Sequence, residues 1–203
     1  MHKTLDYKQL TNCITVHNPY NALPLHLQFS LSGYTKTAPK PTPINGVLSI
    51  SRQYFDTKGN PITPDQLHVG DMIIVMLDVS ADRVINDALV VDMLPAGLEL
   101  ENPNLVNNCI NLQAMPELAE LLKEQHSNDI KYQEFRDDRY IAAIAIHNRT
   151  TENRYSKKLI YLASAVSVGQ YRVPAPYVES MYSTQWYAIG DSIPLMTINP
   201  KKE

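Results

Sequence analysis

Apolar and polar residues alternate through much of the chain, and the alternation predicts strands. In LPLHLQFSLSG, Leu25, Leu27, Phe29 and Leu31 alternate with His26, Gln28, Ser30 and Ser32. TNCITVHN is its expected partner across a turn at Asn18, Pro19, Tyr20 and Asn21. TKTAPKPTPING follows, with three prolines that cannot donate to a ladder, and predicts an extended connector crossing a sheet edge. VLSISRQYF and the turn DTKGNP lead to Gly70 and a long apolar strand from Met72 to Val79. Ile73, Val75 and Leu77 share one face of it and Met72, Ile74 and Met76 the other, so both faces require cover. DALVVDMLPAG is the next strand, ending where Pro95 and Gly97 force a turn.

MPELAELLKEQH carries the single helical period, with Met115, Leu118, Leu121 and Leu122 on one face and Pro116 in the first turn; it predicts a helix over about 115–126. After the charged group Arg136-Asp137-Asp138-Arg139, Tyr140, Ala142, Ile144 and Ile146 alternate again. Across RTTENRYSKK, LIYLASAVSVGQY alternates likewise, and the two segments are expected to pair as a hairpin. IPLMTI is the last strand. One helix among many short strands predicts an all-β antiparallel sandwich with an inserted crossing helix. Residues 1–44 form the strand pair and connector, expected to pack on the same domain, and 45–203 form the sandwich.

Within this frame VPAPYVESMYSTQWYAIG stands out, because it concentrates prolines, three tyrosines and the one tryptophan of the chain. Pro174 and Pro176 hold the backbone extended, while Tyr177, Met181, Tyr182, Trp186 and Tyr187 supply large rigid surfaces with polar tips. Such residues either close the bottom of a sandwich core or leave the domain to cover a neighbour. They bind; they do not break bonds.

Composition narrows the function. With 203 residues and 44% hydrophobic content the chain can bury a substantial core. The net charge is −3 and the basic residues are scattered, which argues against nucleic acid or an anionic membrane as partner. No apolar run is long enough to span a bilayer, and MHKTLDYKQLTN lacks the apolar core of a secretory signal, as a fragment of a longer exported protein also would. Cys13 and Cys109 match no metal spacing and read as buried thiols or, in an oxidising compartment, as one disulfide.

Catalytic patterns are missing. His2, His17, His26, His68, His126 and His147 form no HExxH or related set, and there is neither a GxSxG elbow nor a phosphate-cradling glycine loop. Asp92, inside an apolar run, is expected to be a buried structural carboxylate capping nearby amides. Asp137 and Asp138, placed on opposite faces of a strand and flanked by Arg136 and Arg139, are expected to form a structural ion-pair cluster. No catalytic residue, metal or cofactor is expected. Asn148-Arg149-Thr150 is a glycosylation sequon that matters only in a glycosylating source.

NGVLSISRQYFDTKGNPI, VGDMIIVMLDV, VVDMLPAGLELENPNL, EFRDDRYIAAIAI, LIYLASAVSVGQYRVPAP and YVESMYSTQWYAIG together resemble the C-terminal end of the bacterial alpha-2-macroglobulins, in order from about Asn45 to Gly190. The resemblance implies a macroglobulin-like, fibronectin-III-type β-sandwich that forms the last domain of a large periplasmic protease trap, anchored to the inner membrane as a lipoprotein. Such a trap captures the protease that cuts its bait segment, through a thioester between Cys and Gln of a CxEQ motif. No CxEQ occurs in this sequence, so the resemblance implies that the covalent chemistry resides in another domain. It places Met181 and Tyr182 over that thioester, with Tyr177 and Trp186 beside them, as a shield against water. The partners it implies are the thioester domain and other domains of the same polypeptide, trapped proteases and, for some members, the peptidoglycan synthesis machinery. After Tyr182 the chain departs from the Arg-Pro type of pair common in the family and reads Ser183-Thr184-Gln185-Trp186. Two other expectations are a free-standing Ig-like adhesion or scaffold module using the same aromatics, and a hydrolase using Asp137 or Asp138.

Overall fold

The computed structural model describes residues 17–19, 24, 26, 28, 30, 40–42, 46–101, 128–151 and 153–201. The expected helix over 115–126, Cys13, Cys109 and most of the N-terminal strand pair lie outside them. The chain divides into two compact units, Met1–Thr35 and Lys36–Glu203, and every described strand belongs to the second. In chain order these strands are β1 (Leu48–Asp56), β2 (Leu67–His68), β3 (Met72–Ala81), β4 (Ile85–Met93), β5 (Leu98–Leu100), β6 (Ile130–Arg136), β7 (Arg139–Ile146), β8 (Asn148–Arg149), β9 (Tyr155–Ala165), β10 (Gly169–Val173), β11 (Tyr177–Ser180), β12 (Tyr187–Ile189) and β13 (Ile193–Asn199).

Two sheets make the body of an all-β sandwich. One runs β1-β3-β9-β5, with β8 attached to β9, and the other β12-β11-β4-β7-β6; both are antiparallel throughout. A small third sheet, β10-β13-β2, contains a parallel pair between β13 and β2. Between the two large sheets lies a core supplied by alternate residues: Leu48, Ile50 and Tyr54 from β1, Ile73, Val75 and Leu77 from β3, Ala88 and Val90 from β4, Ala142 and Ile144 from β7, and Leu159 and Tyr161 from β9. Ile74, on the opposite face of β3, is also buried, whereas Met72 and Met76 are half-buried.

Two pairings differ from the sequence expectation. β7 and β9 do not form a hairpin: β7 pairs with β4 and β6 in one sheet, and β9 with β3 and β5 in the other. RTTENRYSKK therefore carries the chain between sheets. Alternation specifies which face of a strand is buried, not which strand lies beside it. LIYLASAVSVGQY likewise splits at residues 166–168, β9 ending in one sheet and β10 starting in another.

Candidate functional site at the hairpin joining β11 and β12

The aromatic segment folds as a short hairpin. β11 lies on β4, with Tyr177 opposite Val91 and Ser180 opposite Ala88, and β12 returns on its outer side, with Val178 opposite Ala188. Val178 and Ala188 are fully buried, so the intervening Tyr177, Glu179 and Tyr187 face outward. The strands are joined next to the turn by Ser180 N–H donating to Trp186 O at 2.9 Å, and the turn is closed by Trp186 N–H donating to Ser183 O at 2.8 Å. Met181 N–H extends the β4 ladder by donating to Asp87 O at 2.9 Å. Thr42 meets the outer edge of β12: its N–H donates to Ile189 O at 2.8 Å, and Ile189 N–H donates to Thr42 Oγ1 at 2.9 Å.

Trp186 packs against the core with the Arg83 guanidinium 5.0 Å from its ring centroid. It seats the hairpin. Met181 and Tyr182 are then left at the turn, 42% and 86% exposed. On the outer face Tyr187, 48% exposed, lies with its centroid 6.2 Å from that of Tyr177, whose hydroxyl donates to Glu179 Oε2 at 2.7 Å. Partial burial and the Glu179 carboxylate push the Tyr177 phenol up to about 12, so it stays neutral. Of the residues singled out in the sequence, Met181 and Tyr182 thus stand outward, Tyr177 lies half-buried, and Trp186 faces inward. Arg83 was not legible as their companion, because it lies on the turn between β3 and β4, about 100 residues earlier in the chain.

Beneath the hairpin lies a buried polar group. Asp92 is fully buried, and its partners are side chains rather than the amides expected. Arg52 Nη1 donates to its Oδ1 at 2.5 Å and the Tyr161 hydroxyl to its Oδ2 at 2.7 Å. Arg52 Nη2 donates in addition to Pro174 O at 2.9 Å, and its guanidinium lies 5.5 Å from the centroid of the Tyr54 ring. Burial pushes the Asp92 carboxyl above its ordinary value against the pull of Arg52 and Tyr161. Burial draws the Arg52 guanidinium down, but Asp92 with the two nearby tyrosines outweighs it, and the group remains charged.

The charged cluster is a turn, not a strand. Arg136 pairs with Arg139 across the ends of β6 and β7, and Asp137 and Asp138 connect them at the exposed surface. Arg139 Nε donates to Asp138 Oδ1 at 2.9 Å, while Arg136 Nε donates to Glu134 Oε1 at 2.8 Å. Each hydrogen bond holds its carboxylate below its ordinary value. The cluster is therefore not one network: Arg139 pairs with Asp138, and Arg136 pairs with Glu134 on its own strand. Among the described residues no group of three or more His, Cys, Asp or Glu side chains is placed to hold a metal ion.

Residues 48–185 match the family model of the bacterial alpha-2-macroglobulin MG10 domain. The chain belongs to the bacterial alpha-2-macroglobulin family. It is 45% identical over 178 residues to the alpha-2-macroglobulin of Escherichia coli (strain K12), covering 87% of this chain and 10% of that protein. It therefore spans about a tenth of the length of such an alpha-2-macroglobulin. The native E. coli alpha-2-macroglobulin, solved from domain MG7 to the C-terminus, superposes with a TM-score of 0.72 at 45% identity, over 83% of this chain and 25% of that one. Trypsin-activated E. coli alpha-2-macroglobulin gives a TM-score of 0.68 at 45% identity, over 83% and 11% of the two chains. Salmonella alpha-2-macroglobulin reacted with methylamine gives 0.68 at 43% identity, over 83% and 10%.

Proposed function

We propose that this chain is a non-catalytic domain of a longer periplasmic alpha-2-macroglobulin, tethered as a lipoprotein and acting in endopeptidase inhibition. It packs on the thioester-bearing domain of the same polypeptide and shields the thioester until a protease cuts the bait. The observation that carries this reading is the exposure of Tyr182, with Met181 beside it, at the tip of a hairpin whose base is fixed by backbone hydrogen bonds and by Trp186. A monomeric domain gains nothing from an aromatic side chain held in water on a fixed turn. A domain with a neighbour gains a rigid apolar cover at little entropic cost, and a thioester kept dry is kept intact. Trypsin activation of the E. coli relative and methylamine reaction of the Salmonella relative support a protease-triggered trap with an amine-reactive group.

The test is Tyr182→Ala in the full-length protein that contains this chain. Methylamine incorporation before protease treatment is expected to rise by about one order of magnitude or more, as loss of a central buried aromatic at an interface costs about 1 to 3 kcal/mol. Incorporation equal to that of the parent protein removes Tyr182 from the shield. Replacing both Asp137 and Asp138 by Asn is expected to leave inhibition intact, which separates this reading from a hydrolase.

A further inference from the structure

Arg52 occupies the inward position between Ile50 and Tyr54 on β1, where the alternation calls for another apolar side chain, and its side chain is 3% exposed. Its fork is divided between two acceptors: one arm meets Asp92 on β4, the strand that carries β11, and the other meets the carbonyl of Pro174, three residues before β11 begins. Tyr161, from β9 in the opposite sheet, completes the carboxylate. Stability alone does not account for this group. Desolvating an ion pair costs about what the attraction returns, and Arg52 Nε is left buried with no hydrogen-bond partner. What the group supplies is geometry. A planar guanidinium satisfies both acceptors only in one arrangement of β1, β4 and the Pro174 segment.

We propose that Arg52, Asp92 and Tyr161 are positioning residues that set where β11 leaves the sandwich and hence where Met181 and Tyr182 stand. The inference rests on the shielding reading for its consequence but not for its geometry. The path to the tip is short: Pro174 lies three residues before β11, β11 is four residues long, and Asp92 is the residue next to Val91, which faces Tyr177 across the ladder. At the base, Gly190 N–H donates to Pro176 O at 2.8 Å, and a Cβ on Gly190 would lie 2.8 Å from the Ile50 carbonyl oxygen. The hairpin base is thus seated directly against the strand that bears Arg52.

The chain contains one tryptophan, Trp186, inside the hairpin, which gives the test a local reporter. Arg52→Lys keeps a cation opposite Asp92 but has no fork with which to hold Pro174 as well. The double change Arg52→Met with Asp92→Leu replaces the pair by apolar side chains of similar size. Both variants are expected to unfold cooperatively, while acrylamide quenching of Trp186 rises roughly twofold as the hairpin loosens. Leu159→Ala, a core change on β9, is expected to lower stability without altering the quenching. Folded Arg52 variants with quenching and emission equal to the parent overturn the proposal, as does a Leu159→Ala effect equal to theirs. Should neither Arg52 variant fold, Tyr161→Phe carries the same expectation and the same refutation. With Trp186 read in this chain and methylamine incorporation in the full-length protein bearing the same change, a loosened Trp186 with unchanged incorporation upholds the positioning role and removes the shielding reading, whereas an unmoved Trp186 removes the positioning role whatever the incorporation.

Discussion

The Arg83 guanidinium lies 5.0 Å from the centroid of the Trp186 ring, joining the turn after β3 to the hairpin between β11 and β12. Asp82 accepts from Arg83 Nε at 2.8 Å and aims the side chain. Arg83→Ala is therefore expected to red-shift Trp186 emission and raise its exposure to quencher, with only a small loss of stability, because the cation is at the surface. Fluorescence and urea unfolding of the same samples check both parts.

Tyr182→Ala in the isolated chain is expected to change unfolding free energy by less than about 0.5 kcal/mol, since an exposed tip residue supports nothing within its own domain. A larger loss, seen in denaturant titration, would mean that Tyr182 holds the hairpin together instead of facing a neighbour.

Asp92→Ala strands the Arg52 cation in the core and is expected to cost about 3 to 5 kcal/mol. Tyr161→Phe removes one hydrogen bond to the same carboxylate and is expected to cost about 1.5 to 3 kcal/mol. Chemical denaturation should rank them in that order; the reverse ranking would contradict a charged Arg52.

Gly97→Ala adds a Cβ that would overlap the Tyr171 ring and lie 2.6 Å from Ile198 Cδ1. The Tyr171 ring is rigid and the Ile198 methyl is held in the buried core, so overpacking is expected to cost about 1 to 3 kcal/mol. A lowered melting temperature with unchanged Trp186 emission would locate the damage at the third sheet, where Tyr171 and Ile198 reside.

Burial pushes the phenols of Tyr54, Tyr140 and Tyr161 above their ordinary value of 10.0, with Arg52 opposing the rise at Tyr54 and Asp92 adding to it at Tyr161. In the unfolded chain these groups lose their protons near pH 10, while the folded state retains them, so the folded state is progressively disfavoured in alkali. Their contribution is complete below about pH 10 and declines above it. Phenolate absorbance should accordingly show a late step coincident with alkaline unfolding; a single early titration of all 12 tyrosines would refute this.

Much of the sandwich was legible in the chain. Ile73, Val75 and Leu77 announce β3, and Ala88 and Val90 announce β4, because an alternating pattern fixes which face is buried. Pairing was not legible: Ile144 and Leu159 alternate alike but belong to different sheets. Arg52 was missed because a charge in an alternating run reads as an outward position unless its partner is known, and Asp92 lies 40 residues away. Met181 and Tyr182 stood out by composition and resemblance, but Trp186 packs against the core beside Arg83, a companion that no local pattern indicates.

The ladder between β3 and β9 joins residues 72–81 to residues 155–164. During synthesis β3 therefore emerges long before the strand that completes its sheet, and only β1, on its other edge, is available to it. Ile73, Ile74 and Val75 must wait with one edge open, in a segment whose apolar, β-branched character suits intermolecular pairing. A chain stopped ahead of Tyr155 is consequently a candidate for aggregation rather than for partial folding. The same dependence on distant strands makes closure of this sheet a late and slow event.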